Sequence, residues 1–213
     1  MTEFQLTVNG RAVTRAMFSF PRRGMWTASV RMSAVKDITG DVKIVLGKQT
    51  WLGTVVSVAA HSGSTELHVV GGAGLLRECS PRFYTACALR LPVSELLAEA
   101  GSKLHASSTA SGSLSGWVRP KVRAADALTT LAPEWRILAD GSAFVGADTW
   151  RAVTPKTADI QVVGGDPIAR RIDVAMIEPV VLPGVSWNGR KVTRVDLEVT
   201  DDQCRGSVYY ADN

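Results

Sequence analysis

The sequence predicts a mainly β fold that is interrupted by a small α+β insert. Apolar and polar residues alternate along many short segments, and Gly, Pro and Asn residues separate these segments. Apolar residues recur at helical spacing in the middle of the chain. The clearest strand follows an Asn188-Gly189 turn, and its apolar positions are Val192, Val195, Leu197 and Val199. Short strands separated by turns in this way are typical of a β-barrel or a β-sandwich.

Residues 1–80 predict five to seven strands and form the first predicted domain. Strands over residues 4–8 and 12–20 flank Asn9-Gly10, a dipeptide that favours a tight hairpin turn. Further strands are expected over residues 26–30, 42–46, 51–59 and 66–70. The glycine-rich segment 71–74 is expected to be a strand exit, because it lacks the helix and the βαβ unit that a dinucleotide-binding loop requires.

Residues 81–155 predict an insert of helix, loop, helix and hairpin. Pro92 is placed near the start of the first helix and Gly101 at its end. Residues 102–116 are rich in Ser, Gly and Ala and predict an exposed loop, and residues 123–132 predict a second helix. Residues 135–138 and 143–145 flank Asp140-Gly141, which predicts a two-stranded hairpin.

Residues 156–213 predict a return to β-structure. Strands are expected over residues 160–163 and 171–177, and two more surround the Pro183-Gly184 and Asn188-Gly189 turns. Asp201-Asp202 adjoin a further expected turn. The order of the chain is therefore β, then α+β, then β again.

The composition favours an ordinary globular protein. The chain has 213 residues, of which 46% are hydrophobic, so it can bury a substantial core. Its 24 basic and 20 acidic residues give a formal net charge of +4, and the scattered basic residues do not indicate a nucleic-acid-binding surface. Cys79, Cys87 and Cys204 lack Cys-x-x-Cys spacing, which favours folding in a reducing cytosol. We expect no cofactor, no metal site, no membrane span and no secretion signal.

Residues that could carry catalysis do not fall into a recognisable motif. His61 and His68 flank a predicted hairpin with Glu66 between them, but the spacing matches no metalloprotease helix, and solvated side chains are expected. The same holds for His105. The segment 112–116 has Leu114 where a nucleophile elbow has serine, so serine hydrolysis has no support in the sequence.

Two other functions remain open at the level of the sequence. A cell-wall hydrolase or an esterase on a β scaffold would need acids or a histidine that converge in a cleft, and Asp201-Asp202 form only an adjacent pair. A monomeric carbohydrate-binding module would use exposed aromatic side chains. The six tryptophans are dispersed along the chain, which is more typical of core and interface packing: Trp26, Trp51, Trp117, Trp135, Trp150 and Trp187.

Three segments in order resemble the baseplate hub or tail-tip hub proteins of tailed bacteriophages. The first is residues 91–101, which resembles the insert helix that ends in an Ala-Gly pair. The second joins Trp117-Val118-Arg119 to residues 135–141, which resemble the "WRxLxDG" hairpin of that insert. The third is Leu182-Pro183-Gly184 with residues 188–195, which resembles the hairpin and valine-rich strand of the second barrel. Together they cover roughly residues 91–200.

The resemblance implies two tube-like β-barrels in each chain. Residues 1–80 would form the first barrel, residues 81–155 the insert, and residues 156–213 would complete the second barrel. Three chains would form a ring of six barrels that joins the hexameric tail tube to the trimeric tip. The genome would pass through the lumen without sequence-specific binding. The implied protein is a structural component of the virion tail and not an enzyme, is folded in the host cytoplasm, and has tail-tube and tip or spike proteins as partners.

A ring of this kind needs strand edges or faces that contact the neighbouring barrel. We expect the docking strands at residues 11–20 and 51–59 of the first barrel and at residues 190–199 of the second. The residues predicted to lie at the interface are Trp51, Val55, Arg190, Val192 and Arg194.

Overall fold

The computed structural model describes residues 6–34, 37–157, 159–176, 179–200 and 203–212. Within these ranges the chain forms seventeen β-strands, two α-helices and one short 3-10 helix, which confirms the predicted mainly β fold. Phe4, Ile177, Asp201 and Asp202, which belong to predicted strands and a predicted turn, lie outside the described residues.

The first part of the chain forms seven strands and a 3-10 helix at Ala73–Leu76. The Asn9-Gly10 hairpin is confirmed, with φ angles of 50° and 76° at the two turn residues. The return strand predicted over residues 12–20 is wrong, because only Arg11 and Ala12 pair with the first strand of the hairpin. The chain then forms a separate strand from Arg15 that pairs with Thr27–Met32. The strands are β1 Leu6–Val8, β2 Arg11–Ala12, β3 Arg15–Pro21, β4 Thr27–Met32, β5 Gly40–Leu46, β6 Gln49–His61 and β7 Ser64–Val70.

The middle part contains both predicted helices, α1 at Arg90–Glu99 and α2 at Ala124–Leu131, and the predicted hairpin. The expected loop over residues 102–116 is partly wrong. Residues 113–116 belong to a strand whose partner precedes α1 in the sequence. Alternation of apolar and polar residues does not reveal a partner that is so distant along the chain. The strands of this part are β8 Arg82–Ala88, β9 Ser113–Arg119, β10 Trp135–Ile137, β11 Ala143–Val145 and β12 Arg151–Val153.

The last part returns to β-structure, as predicted. The Asn188-Gly189 turn joins two strands, with φ angles of 51° and 74°. A final strand at Cys204–Ala211 was not predicted from the sequence. The strands are β13 Ile160–Asp166, β14 Arg171–Met176, β15 Val185–Trp187, β16 Arg190–Thr200 and β17 Cys204–Ala211.

One large, mostly antiparallel sheet joins the two ends of the chain. Along its main path the strand order is β13-β14-β17-β16-β3-β4-β7-β6-β5-β1-β2. The join between the two ends is the β3–β16 pair, which runs in register from Arg194 opposite Pro21 to Thr200 opposite Arg15. The predicted division at residues 80 and 155 remains a prediction, and the two strand sets on either side of the insert share this sheet.

The hydrophobic core is continuous across the strand sets and the insert. Its centre is an aromatic cluster in which Trp51 lies 4.4 Å from Phe20 and 5.8 Å from Trp26, measured between ring centroids. The glycine segment after β7 is adapted to this cluster, because a Cβ atom on Gly71 would lie 2.1 Å from the indole Nε1 of Trp26. In the described residues there is no helix with the length and hydrophobicity of a membrane span.

Candidate assembly and channel surfaces

Eight long strands of the large sheet form one uninterrupted surface, which we call the eight-strand sheet: β13, β14, β17, β16, β3, β4, β7 and β6. Every neighbouring pair in it is antiparallel. A single row of opposed residues crosses all eight strands and lies on one face. The row is Gln161, Ala175, Arg205, Glu198, Met17, Ser29, His68 and Ser57.

That face, the polar face, carries alternate residues of the strands, while the other residues enter the core. A second row on it contains Asp173, Ser207, Asp196, Ser19 and Thr27. The hydroxyl of Ser207 donates to Asp173 Oδ1 at 2.7 Å, and the hydroxyl of Ser19 donates to Asp196 Oδ1 at 2.8 Å. These bonds cross from strand to strand and hold the carboxylates in place.

Charges on the polar face are nearly balanced. Arg194 binds Asp196 at 2.8 Å, Arg15 binds Glu198 at 2.6 Å, and the Ser29 hydroxyl donates to Glu66 at 2.6 Å. The hydrogen bond to Asp196 raises the pKa of Arg194, which therefore stays charged. A groove of about 520 Å³ runs over this face. The arginines of the polar face include Arg15, Arg31, Arg171, Arg194 and Arg205, and its carboxylates include Glu66, Asp173, Asp196 and Glu198.

The predicted docking strands remain a prediction, and they differ in whether they have a free edge. Strand β3 pairs with β4 on one side and with β16 on the other, and β16 also pairs with β17. Both strands are therefore interior to the sheet of a single chain and have no edge to offer a neighbour. Strand β6 is different, because β5 pairs with its first half and β7 with its second half.

The five predicted interface residues fall into three groups by burial. Trp51 and Val192 are 3% and 1% exposed, so the structure places them in the core and not on a surface available to a second chain. Arg190 and Arg194 are exposed, and their guanidinium groups lie over Tyr210 and Tyr209. The last of the five, Val55, is half-buried between its cross-strand neighbours in β5 and β7.

A buried ion-pair cluster joins the insert to the two ends of the chain. The carboxylate of Asp148, with a side chain only 2% exposed, accepts from Arg22 at 2.8 Å and from Arg136. Arg22 also binds Glu134 at 2.6 Å and lies over the ring of Trp150. Two of the segments that carry the family resemblance meet here, since a Cβ atom on Gly184 would lie 2.6 Å from Arg136 Nη2.

The β8–β9 sheet of the insert is held against α1 by a second cluster. Arg119 is 0% exposed; its Nε donates to the Ser80 carbonyl at 2.7 Å and its Nη2 binds Glu99 at 2.6 Å. A hydrogen bond from the Ser80 backbone is the largest cause that lowers the pKa of Glu99. On the outer side, Phe83 and Val118 are opposed residues that are 68% and 63% exposed.

The histidines do not form a metal site with their neighbours. His61 Nε2 lies 4.0 Å from Glu66 Oε2 on the exposed β6–β7 hairpin, and His105 binds the hydroxyl of Ser107 at 2.7 Å. No group of three potential metal ligands occurs in the part of the chain that the structure describes. Four of the six tryptophans are buried, as core packing predicts: Trp26, Trp51, Trp135 and Trp187.

Sequence reasoning missed the contributions of β14 and β17 to the polar face. Arg205, Ser207 and Tyr209 alternate with Gly206 and Val208, so a strand signal was present in the sequence. The face itself was not predictable from that signal, because it exists only when β17 lies between β14 and β16.

Similar solved structures include proteins of phage tails and of a related secretion system. A tail protein of prophage MuSo2 from Shewanella oneidensis is 8% identical, with 99% of this chain and 96% of that chain covered and a TM-score of 0.69. A tail protein from Neisseria meningitidis is 13% identical, with the same coverage and a TM-score of 0.65. An E. coli component of the type VI secretion system, described as similar to the T4 tail proteins gp27 and gp5, is 10% identical, with 98% and 77% covered and a TM-score of 0.59.

These likenesses confirm the predicted resemblance at the level of the fold, which is that of phage tail proteins and of a phage-like secretion component. No protein-family model and no curated protein sequence matches the chain.

Proposed function

We propose that the chain is a structural protein of a phage tail or of a phage-derived injection machine, and that it forms a hub ring between the tail tube and the tip. The fold likeness to tail proteins over 99% of the chain supports the structural role. The proposal includes a homotrimer, tail-tube and tip or spike proteins as partners, and a location in the virion tail. The proposed role needs no catalytic residue.

The observation that carries the proposal is the polar face of the eight-strand sheet. Three copies would place 24 such strands around a channel. At a strand spacing of about 4.8 Å, this ring is about 115 Å around and about 37 Å across between backbones. Strand tilt widens it further. The polar face would line the lumen, while the buried face packs on the core.

The charge balance of the polar face suits a conduit for nucleic acid. A surface rich in unpaired arginines would bind phosphates and retain the genome. Here Arg194 and Arg15 are already paired with carboxylates of β16. The proposed lumen is therefore hydrated and binds phosphates only weakly, which favours passage of the genome without sequence-specific binding.

The mass of the protein in solution tests the proposal. We expect light scattering after size exclusion to give three times 22.8 kDa, over a range of concentrations. Electron microscopy of that species is expected to show rings with sixfold pseudosymmetry and an open centre. A species that stays at 22.8 kDa at every concentration, alone and with purified tube protein, would contradict the hub ring.

The structure adds no support for the two other functions that the sequence left open. A carbohydrate platform needs exposed aromatic side chains, but none of the six tryptophans is fully exposed. Trp117 and Trp150 are half-buried, and the other four are buried. A hydrolase reading would be favoured by saturable cleavage of cell-wall glycan that is lost on a single carboxylate or histidine substitution.

A further inference from the structure

We infer that the ring closes by strand pairing between two specific edges: β13 of one copy and the second half of β6 of the next copy. This inference rests on the proposed ring and names the contact that would build it. The occupant of each edge is a second copy of this chain.

The two edges lie at opposite ends of the eight-strand sheet. Strand β13 pairs with β14 on one side, and no described strand pairs with its other side. On β6, pairing with β5 ends at Val55 opposite Gly40, so residues 56–61 have β7 on one side and no described strand on the other. The free segments are similar in length, with seven residues in β13 and six in β6.

The strand directions of the two edges are compatible. All neighbours in the eight-strand sheet are antiparallel, and eight is an even number, so β13 and β6 run in opposite directions. In a cyclic ring every copy has the same orientation along the axis. The pair formed between copies is therefore antiparallel, and the alternation of strand directions continues around the ring without a break.

Both edges expose an apolar residue on the face that elsewhere forms the core. On β13 this residue is Val162, which is 54% exposed although its neighbour on β14, Val174, is 1% exposed. On β6 it is Val58, which is 41% exposed although its neighbour on β7, Leu67, is fully buried. Each valine has a neighbouring strand on one side only. If the two edges pair, β6 of one copy covers Val162 and β13 of the other copy covers Val58.

The polar face also continues across the proposed junction. The row of residues that crosses the sheet begins with Gln161 at the β13 edge and ends with Ser57 at the β6 edge. Both are uncharged, so the junction places no like charges opposite one another in that row. Each edge also has a register shift, between Val162 and Gly164 and between Val55 and Ser57, which breaks regular pairing with unrelated strands.

Disulfide trapping tests this contact directly. Opposed Cα atoms of an antiparallel pair lie about 4.5–5.5 Å apart, which is within the reach of a disulfide. We would combine Val58→Cys with Val162→Cys, and Ser57→Cys with Gln161→Cys, in a Cys87→Ser background. Cys79 and Cys204 are buried, and burial raises the pKa of Cys204 to about 12, so neither is expected to react. The two pairs belong to antiparallel registers that differ by two residues, so the double variant whose register the ring adopts is expected to give covalent dimers and trimers under mild oxidation.

The matched control pairs Val58→Cys with Val118→Cys, since Val118 is 63% exposed but lies on the insert. This control is expected to stay uncrosslinked. A wild-type trimer in which neither edge pair crosslinks would overturn the edge contact and leave the proposed ring intact. A wild-type monomer under all conditions would overturn both.

Charge substitution provides an independent measurement. Val58→Lys and Val162→Lys change exposed side chains, so each monomer is expected to fold with a melting temperature close to that of the wild type. Each is also expected to shift the trimer to monomer, because lysine at a sheet edge opposes strand addition. The double variant Val58→Lys with Val162→Glu is expected to recover trimer. Trimers of unchanged mass in both lysine variants would count against the inference.

Discussion

Asp148 of the insert lies where the first and last parts of the chain meet the insert. Its buried carboxylate binds Arg22 from the end of β3 and Arg136 from β10. The chain passes so close at Gly184 that a Cβ atom there would lie 2.6 Å from Arg136 Nη2. The backbone of Gly184 also has a φ angle of +91°, which side chains disfavour.

We predict that Gly184→Ala destabilises the protein by about 3 kcal/mol, because steric displacement of a buried ion pair adds to backbone strain. Gly189→Ala is the matched control, since Gly189 has a φ angle of +74° but nothing within 4 Å of an added Cβ. The control is expected to lower the free energy of unfolding by about 1 kcal/mol. Urea unfolding of both variants measures the difference, and equal losses would contradict the close approach.

Glu134 makes stability depend on acid pH. A hydrogen bond from Arg23, with Arg22 adding to it, lowers the pKa of Glu134. A carboxyl whose folded pKa is lowered stabilises the fold above its unfolded pKa, and this contribution is lost as the pH falls through the folded pKa. We predict that Glu134→Gln is less stable than wild type at pH 7 and loses less stability on acidification below about pH 4.5.

Thermal unfolding between pH 7 and pH 3 checks this prediction. Glu78→Gln serves as the control, because Glu78 is 62% exposed and pairs with Lys121 on the surface. If stability changes with pH to the same extent in wild type and in Glu134→Gln, the ion pairs with Arg22 and Arg23 do not couple stability to the protonation of Glu134.

At the scale of elements, the insert depends on how β8 and β9 are attached to α1. Arg119 on β9 and Glu99 on α1 form a pair in which the arginine is fully buried. Arg82 on β8 and Glu95 on α1 form an equivalent pair at 2.7 Å in which the arginine is 50% exposed. The β8–β9 sheet and α1 are thus linked by one buried ion pair, from β9, and one exposed ion pair, from β8.

We predict that Arg119→Met destabilises the protein by about 3 kcal/mol, because it leaves Glu99 without its buried partner. Arg82→Met is expected to leave stability close to wild type, because exposed ion pairs contribute little. Chemical denaturation with a probe on the β8–β9 sheet, for example the fluorescence of Trp117, measures both. Similar losses in the two variants would contradict the assigned difference in burial.

At the scale of the whole molecule, the β3–β16 pair makes the two strand sets one folding unit. Seven consecutive residue pairs connect them, and the core is continuous. We predict one calorimetric transition whose van't Hoff and calorimetric enthalpies agree for the dissociated monomer. Two resolved transitions would indicate two barrels that fold independently.

Much of the local structure was predictable because its causes are local. The Asn9-Gly10 and Asn188-Gly189 turns both adopt positive φ angles, and the hairpin around Gly141 forms where the turn residues indicate. Burial was less predictable: Trp51 and Val192 were expected at an interface, yet they lie in the core. An alternating pattern shows that one side of a strand is covered, but not what covers it.

The sequence by itself determined where most strands, both helices and the tight turns lie, since turn chemistry and apolar spacing act over a few residues. Only the tertiary structure decided that β3 lies beside β16, that β8 lies beside β9, and that β13 and the end of β6 are left as edges. The reason is physical. Backbone hydrogen bonds are the same for every strand, so the choice of a distant partner depends on how the whole core packs.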